Sequence, residues 1–169
     1  MRFSLVLFVP FAILVGMVGA QPPPVSPPVP QFELVAEGTV RIEQAGVFNV
    51  PLGQRVSALV TEGELFLPNG TRIGAVVPGT GIGNGLVAND GIFYASVIMT
   101  VKVDGEDNSF VYMHTQGVGE ELVNSMVWVY METTSTNFKA LNSRFLIANM
   151  TFSEPPSLGV YGLVDQISL

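Results

Sequence analysis

Cysteine is absent from the 169 residues, so no disulfide staples the fold and no thiolate is available as nucleophile or metal ligand. Histidine occurs once, at His114. One imidazole and scattered carboxylates do not supply the ligand spacing of a zinc or non-haem iron site, so neither metal nor cofactor is expected. The acidic stretch "DGEDNS" (Asp104, Glu106, Asp107) lacks the twelve-residue calcium-loop pattern and reads as a solvated turn. Charge is scarce and mostly acidic: 7 Lys and Arg stand against 14 Asp and Glu, a net −7. Losing Arg2 with a leader would make it −8, which argues against nucleic acid and anionic membranes as partners. Helical periodicity is missing as well. No ten-residue stretch shows it, although "FKALNSRFL" has room for one turn.

What is present begins with an N-terminal apolar run, "MRFSLVLFVPFAILVGMVGA". Arg2 precedes the run, Pro10 interrupts it, and small residues end at Ala20, the pattern of a secretory signal cut after Ala20. The alternative, a retained membrane anchor, requires a longer unbroken span. Residues 21–31, "QPPPVSPPVPQ", form a proline-rich spacer of extended polyproline-II character. A single domain then occupies 32–169, long enough to bury a core, with no second apolar span. The mature protein is therefore expected to be extracellular and free of the membrane. Two N-x-[S/T] sequons agree with that compartment: Asn69 on a Pro-Asn-Gly turn, and Asn149 in a strand-like run whose exposure depends on its face.

Nearly every segment of the domain is rich in Val, Ile, Phe and Tyr and bounded by turn residues. Strands are predicted over Phe32–Glu37, Thr39–Glu43, Val56–Thr61, Glu64–Leu67, Arg72–Val77, Ile92–Val103, Phe110–Thr115, Met126–Thr133, Ser143–Phe152 and Gly159–Ile167. "LPNGTR" marks a tight hairpin and "VDGEDNS" a longer one. The class is all-β, an antiparallel barrel of eight to ten strands, with a sandwich as the alternative. The stretch "VVPGTGIGNG" (Val76–Gly85) is no dinucleotide fingerprint, because Asn84 stands at the third glycine position and a strand, not a helix, follows. It is expected to form a turn or the rim of a pocket. No Gly-x-Ser-x-Gly motif offers a serine nucleophile.

The order of Gly63 in "TEGELFLPNG", "VVPG" at Val76–Gly79, Asp90-Gly91, Asp104-Gly105, Gly117, Glu132-Thr133 and Leu141-Asn142 resembles domain-of-unknown-function family 3237. The resemblance spans roughly residues 32–167. It implies a closed antiparallel barrel with a central pocket, a fungal source and a place in secondary metabolism. The family commonly has Asp just past its glycine turn, where this chain has Ile82 and Asn84, and Arg-Tyr in the long strand, where this chain has Ser96-Val97.

Alternation along two strands gathers the chemistry-bearing residues. Phe110, Tyr112 and His114 share one face, opposite Val111, Met113 and Thr115. Trp128, Tyr130 and Glu132 share another with Met126, opposite Val127, Val129, Met131 and Thr133. With the aromatic faces inward, Phe110, Tyr112, Trp128 and Tyr130 would bind a ligand, while His114 and Glu132 would act as a catalytic acid–base pair. With the aliphatic faces inward, the aromatic ones form an outer or interfacial surface. The functional expectation is a small-molecule-binding barrel for an apolar ligand, in its sharpest form a cofactor-free cyclase or isomerase of an apolar secondary metabolite. The alternative is a non-catalytic secreted surface, cell-wall or host-interaction protein. Many strands look apolar on both faces, so a homo-oligomer is expected.

Overall fold

The computed structural model describes residues 29–164. The leader with its cleavage site, most of the proline spacer and residues 165–169 lie outside them. Nine strands run β1 (Phe32–Val50), β2 (Gly53–Phe66), β3 (Arg72–Val76), β4 (Gly81–Ala88), β5 (Phe93–Val103), β6 (Phe110–Glu120), β7 (Asn124–Thr133), β8 (Leu146–Thr151) and β9 (Ser157–Leu163). A single 3-10 turn, Lys139–Ser143, falls inside the stretch where one turn of helix had room. No α-helix occurs among the described residues.

All pairings are antiparallel, and they close on themselves. β1 pairs with β9, and neighbours then follow in the order β8, β7, β6 and β5, while β2 joins back to β1. Between β2 and β5 one position in the ring is shared. β3 bonds Glu64–Phe66 of β2 and Val101–Val103 of β5. β4 bonds Gly53–Val60 of β2 and Phe93–Ile98 of β5. The two short strands are therefore one strand broken in the middle, and the ring is an eight-position barrel. Closure pairs most of the sheet on both sides and leaves β1 beyond Thr39 paired with β2 alone, so little free edge is left to template aggregation.

The break is the glycine-rich stretch. Val77–Thr80 makes an inserted turn with Gly79 in the left-handed region at φ +80, a conformation that costs a side-chain-bearing residue about 1–2 kcal/mol. Thr80 repairs the ladder there. Its Oγ1 donates to the Val77 carbonyl at 2.8 Å and accepts the Thr100 amide at 3.2 Å. The expected turn is thus confined to the first part of the stretch. From Gly81 onward it is strand β4, with Gly81, Gly83 and Gly85 facing the buried side and Ile82 and Asn84 outside. A Cβ on Gly85 would collide with the ring of Phe93, so that glycine makes room for an aromatic plug. Phe93 in turn packs edge-on against Phe152, centroids 6.1 Å apart.

Strands read as separate from the sequence are longer and merged. Phe32–Glu37 and Thr39–Glu43 are parts of β1, and Val56–Thr61 and Glu64–Leu67 are parts of β2. Gly38 and Gly63 do not interrupt the ladder, because both face the buried side, where the chain passes too close to its neighbours to admit a Cβ. β1 has three register shifts, at Leu34/Ala36 against β9 and at Arg41/Ile42 and Gln44/Gly46 against β2, which bend it around the barrel.

The core is aliphatic. Val101, Val111, Met113, Val127, Val129, Leu146, Ala148 and Val160 are each at most 2 % exposed and belong to one cluster. Phe138 and Leu141, around the 3-10 turn, pack against it. Below them Glu106 accepts from Ser135 Oγ at 2.8 Å and Asn137 Nδ2 at 2.6 Å, tying the β5–β6 loop to the segment after β7. Those bonds, that of Ser135 foremost and then those of Ser109 and Asn137, hold the Glu106 carboxyl below its usual range.

Candidate functional site

The alternating patterns of β6 and β7 settle which faces meet the core. Val111, Met113, Thr115, Val127, Val129 and Met131 are buried, while Phe110, Trp128, Tyr130 and Glu132 are exposed and Tyr112 and His114 half-buried. The aromatic faces lie outside the barrel, so an aromatic lumen is corrected to an aliphatic one. The physical reason is volume and polarity. An eight-position barrel is just wide enough for side chains to fill. Val, Met, Leu and Ala do so without stranding a hydroxyl, imidazole or carboxylate in hydrocarbon.

The aromatic residues do come together, as their strand positions require. Tyr112 and Tyr130 stack edge-on at 6.4 Å, Trp128 and Tyr130 lie tilted at 6.1 Å, and His114 and Trp128 meet edge-on at 6.5 Å. Phe110 stands at the end of β6, paired across the sheet with Lys102. The register does not join His114 to Glu132. Tyr112 is opposite Glu132, and His114 is opposite Tyr130. Glu132 instead accepts from Tyr130 Oη at 2.5 Å, and this bond, more than desolvation, raises the phenol's pKa. His114 looks the other way along the sheet, its Nε2 3.5 Å from Ser96 Oγ.

Strand register lays the outer face out in rows. Leu59, Ile82, Ile98, His114 and Tyr130 stand side by side across β2, β4, β5, β6 and β7. Two residues along, the row reads Ser57, Asn84, Ser96, Gln116 and Trp128. Two further, it reads Arg55, Leu86, Tyr94, Val118 and Met126. A polar row ending in Trp128 thus runs between two apolar ones. Along it lies a depression of about 390 Å3 bounded by Arg55, Asn84, Tyr94, Ser96, Gln116 and Val118. Ser57 Oγ reaches Asn84 Oδ1 at 3.5 Å within that row, and His114 stands next to Ser96 at its rim.

Sequence reasoning passed over Arg55, Tyr94 and Gln116 as site residues. Two signals were available for their neighbours: Asn84 and Ser96 are among the positions where the chain departs from the family it resembles, and they face each other across β4 and β5. Long-range register, which no local pattern encodes, was needed to see that the departures adjoin.

A second depression of about 430 Å3 lies over β1, β8 and β9, bounded in part by Glu37, Thr39, Asn149, Ser157 and Tyr161. Asn149 is exposed there on the outer face, and Asn69 is exposed in the β2–β3 turn, where its Oδ1 accepts the Thr71 amide at 3.0 Å. A glycan on Asn149 would occupy this second depression, whereas the first has His114 beside its Ser96. The first is the better site for chemistry. Among the described residues no group of three or more His, Asp or Glu converges as for a metal ion.

No protein-family model matches the chain, and no curated protein matches it. Solved structures do. A protein of unknown function from Clostridium acetobutylicum is similar at 19 % identity and a TM-score of 0.69, over 80 % of this chain and 100 % of that one. A β-barrel-like protein from Acinetobacter baumannii matches at 17 % identity and 0.64, over 83 % and 99 %. An enzyme from Penicillium herquei matches at 17 % identity and 0.61, over 87 % and 100 %. At these identities the likeness speaks for the barrel fold alone.

Proposed function

We propose that this chain is a small-molecule-binding barrel whose ligand lies on the outer face, in the depression between β4, β5 and β6, and is a flat apolar metabolite carrying a few oxygen functions. One observation carries this reading: a polar row of Asn84, Ser96 and Gln116 runs between Tyr94 and Val118 on one side and Ile82 and Ile98 on the other, with Trp128 at its end. Small-molecule sites combine apolar walls with a small number of placed polar groups, and the row supplies three such groups. In the sharper form of the proposal the protein is a cofactor-free cyclase or isomerase. His114 would then exchange a proton with the bound compound at the rim, and the walls would hold one reactive conformer. The secretory leader, the sequons and the resemblance to family 3237 belong to the same proposal, of an extracellular protein acting on a secondary metabolite.

The test is a titration of the sole tryptophan, Trp128, with hydroxylated naphthalenes and anthraquinones. Saturable quenching that weakens about tenfold in Gln116→Leu is the expected result, the size of one lost hydrogen bond at roughly 1.4 kcal/mol. No saturable binding of either class up to about millimolar concentration, a −4.1 kcal/mol threshold, would sink the reading. It would leave a non-catalytic surface protein as the account of the fold.

A further inference from the structure

We infer that a second copy of this chain covers the outer face of β4–β7 and roofs the depression described above. The inference rests on that depression being the ligand site only for its last clause. The cover itself is argued from the surface.

The two apolar rows and Trp128 between them leave large apolar side chains between 37 and 53 % exposed, Leu86 aside. Together they expose roughly 700 Å2 in two strips flanking the polar row, close to the ~800 Å2 that each partner brings to a standard interface. Tyr94 within the face and Met126, Trp128 and Tyr130 along its β7 end are of the residue types enriched in such interfaces.

Charge selects the occupant. The chain carries a net −7, yet the three rows contain no carboxylate and one cation, Arg55. A basic partner finds only Glu132, at the edge beside Tyr130, and an anionic one finds a single arginine. Two copies, by contrast, meet across this face without opposing their acidic surfaces. A lipid bilayer is disfavoured by the polar row through its middle, whose amide and hydroxyl groups would lie in hydrocarbon.

The site's own geometry asks for the cover. The depression is open along its length, whereas a small-molecule site buries most of its ligand's surface. Tyr94 and Val118 wall one side, while Ile82 and Ile98, across the polar row, do not line it. A second barrel resting on the apolar rows would close that opening and exclude water from the space beside His114.

Light scattering and acrylamide quenching of the purified protein, both without ligand, test the cover independently of any binding. At about 10 μM the wild type should have at least twice the monomer mass. Trp128 should be quenched several-fold more slowly than a free indole. Ile98→Glu, outside the depression, should halve the mass or more, restore fast quenching and keep the strand circular dichroism. A monomeric wild type overturns the inference. So does an oligomer in which acrylamide reaches Trp128 freely, because the contact then lies elsewhere. Should Ile98→Glu fail to fold, the wild-type mass and quenching decide alone. An oligomer with shielded Trp128 that binds no aromatic compound keeps the cover and removes the ligand reading.

Discussion

His114 Nε2 lies 3.5 Å from Ser96 Oγ across the β5–β6 pair, on the outside of the barrel. The pair sits at the junction of the aromatic cluster on β6 and β7 and the polar row that runs toward β4. It therefore gives the proposed site a proton-exchanging group without placing an ionisable side chain in the core. His114→Ala should leave the melting temperature within a few degrees, since surface changes stay within about 0.5 kcal/mol. It should weaken binding of the naphthalene and anthraquinone probes by roughly tenfold, about 1.4 kcal/mol. A variant with wild-type affinity would remove His114 from the site.

One residue earlier or later on a strand reverses the outcome. Val129 is 2 % exposed and faces the lumen, while Trp128 and Tyr130 beside it face out. Val129→Asp would bury a carboxylate with no partner and should cost upward of about 4 kcal/mol, enough to abolish cooperative unfolding in a marginally stable domain. Leu146→Ala, at 0 % exposure, should cost about 2–5 kcal/mol by transfer and cavity. Urea melts followed by circular dichroism check both. Silence in both would mean the aliphatic faces are not the core.

Thr80 offers a separate test of the broken strand. Thr80→Val keeps the shape but leaves the Thr100 amide without its acceptor, so a loss of about 1–3 kcal/mol is expected. Thr80→Ser should recover most of it. A valine variant as stable as wild type would show that the turn needs no hydroxyl to join β3 to β4.

Glu106 should make the lower end of the barrel sensitive to acid. Its carboxyl is held below the ordinary glutamate range in the folded state, chiefly by Ser135. The stabilisation is then fully present above the unfolded pKa and disappears as pH falls through the folded one. Melting temperatures between pH 7 and pH 2 should drop less steeply in Glu106→Gln than in wild type. Equal slopes would assign the acid sensitivity to other carboxylates.

Much of this architecture was legible in the residues themselves. Alternating Val, Ile and aromatic segments with Asn69-Gly70 and Asp104-Gly105 at their turns require β-hairpins, and that much β-structure without helices leads to a barrel or a sandwich. The same alternation placed Phe110, Tyr112 and His114 on one face and Trp128, Tyr130 and Glu132 on another, and those groupings are what the strands display. Local pattern stopped there. Which of two faces turns inward depends on closure, because the lumen of an eight-position barrel accommodates the Val and Met face and has no room or partners for the aromatic and ionisable one. Register likewise belongs to the tertiary structure. Only pairing between distant strands decides that His114 meets Ser96 and not Glu132, and that Asn84, Ser96 and Gln116 form one row. The glycines of Gly81–Gly85, suited by composition to a loop, became a strand because β2 and β5 supply hydrogen-bond partners on both sides and leave little space for side chains between them.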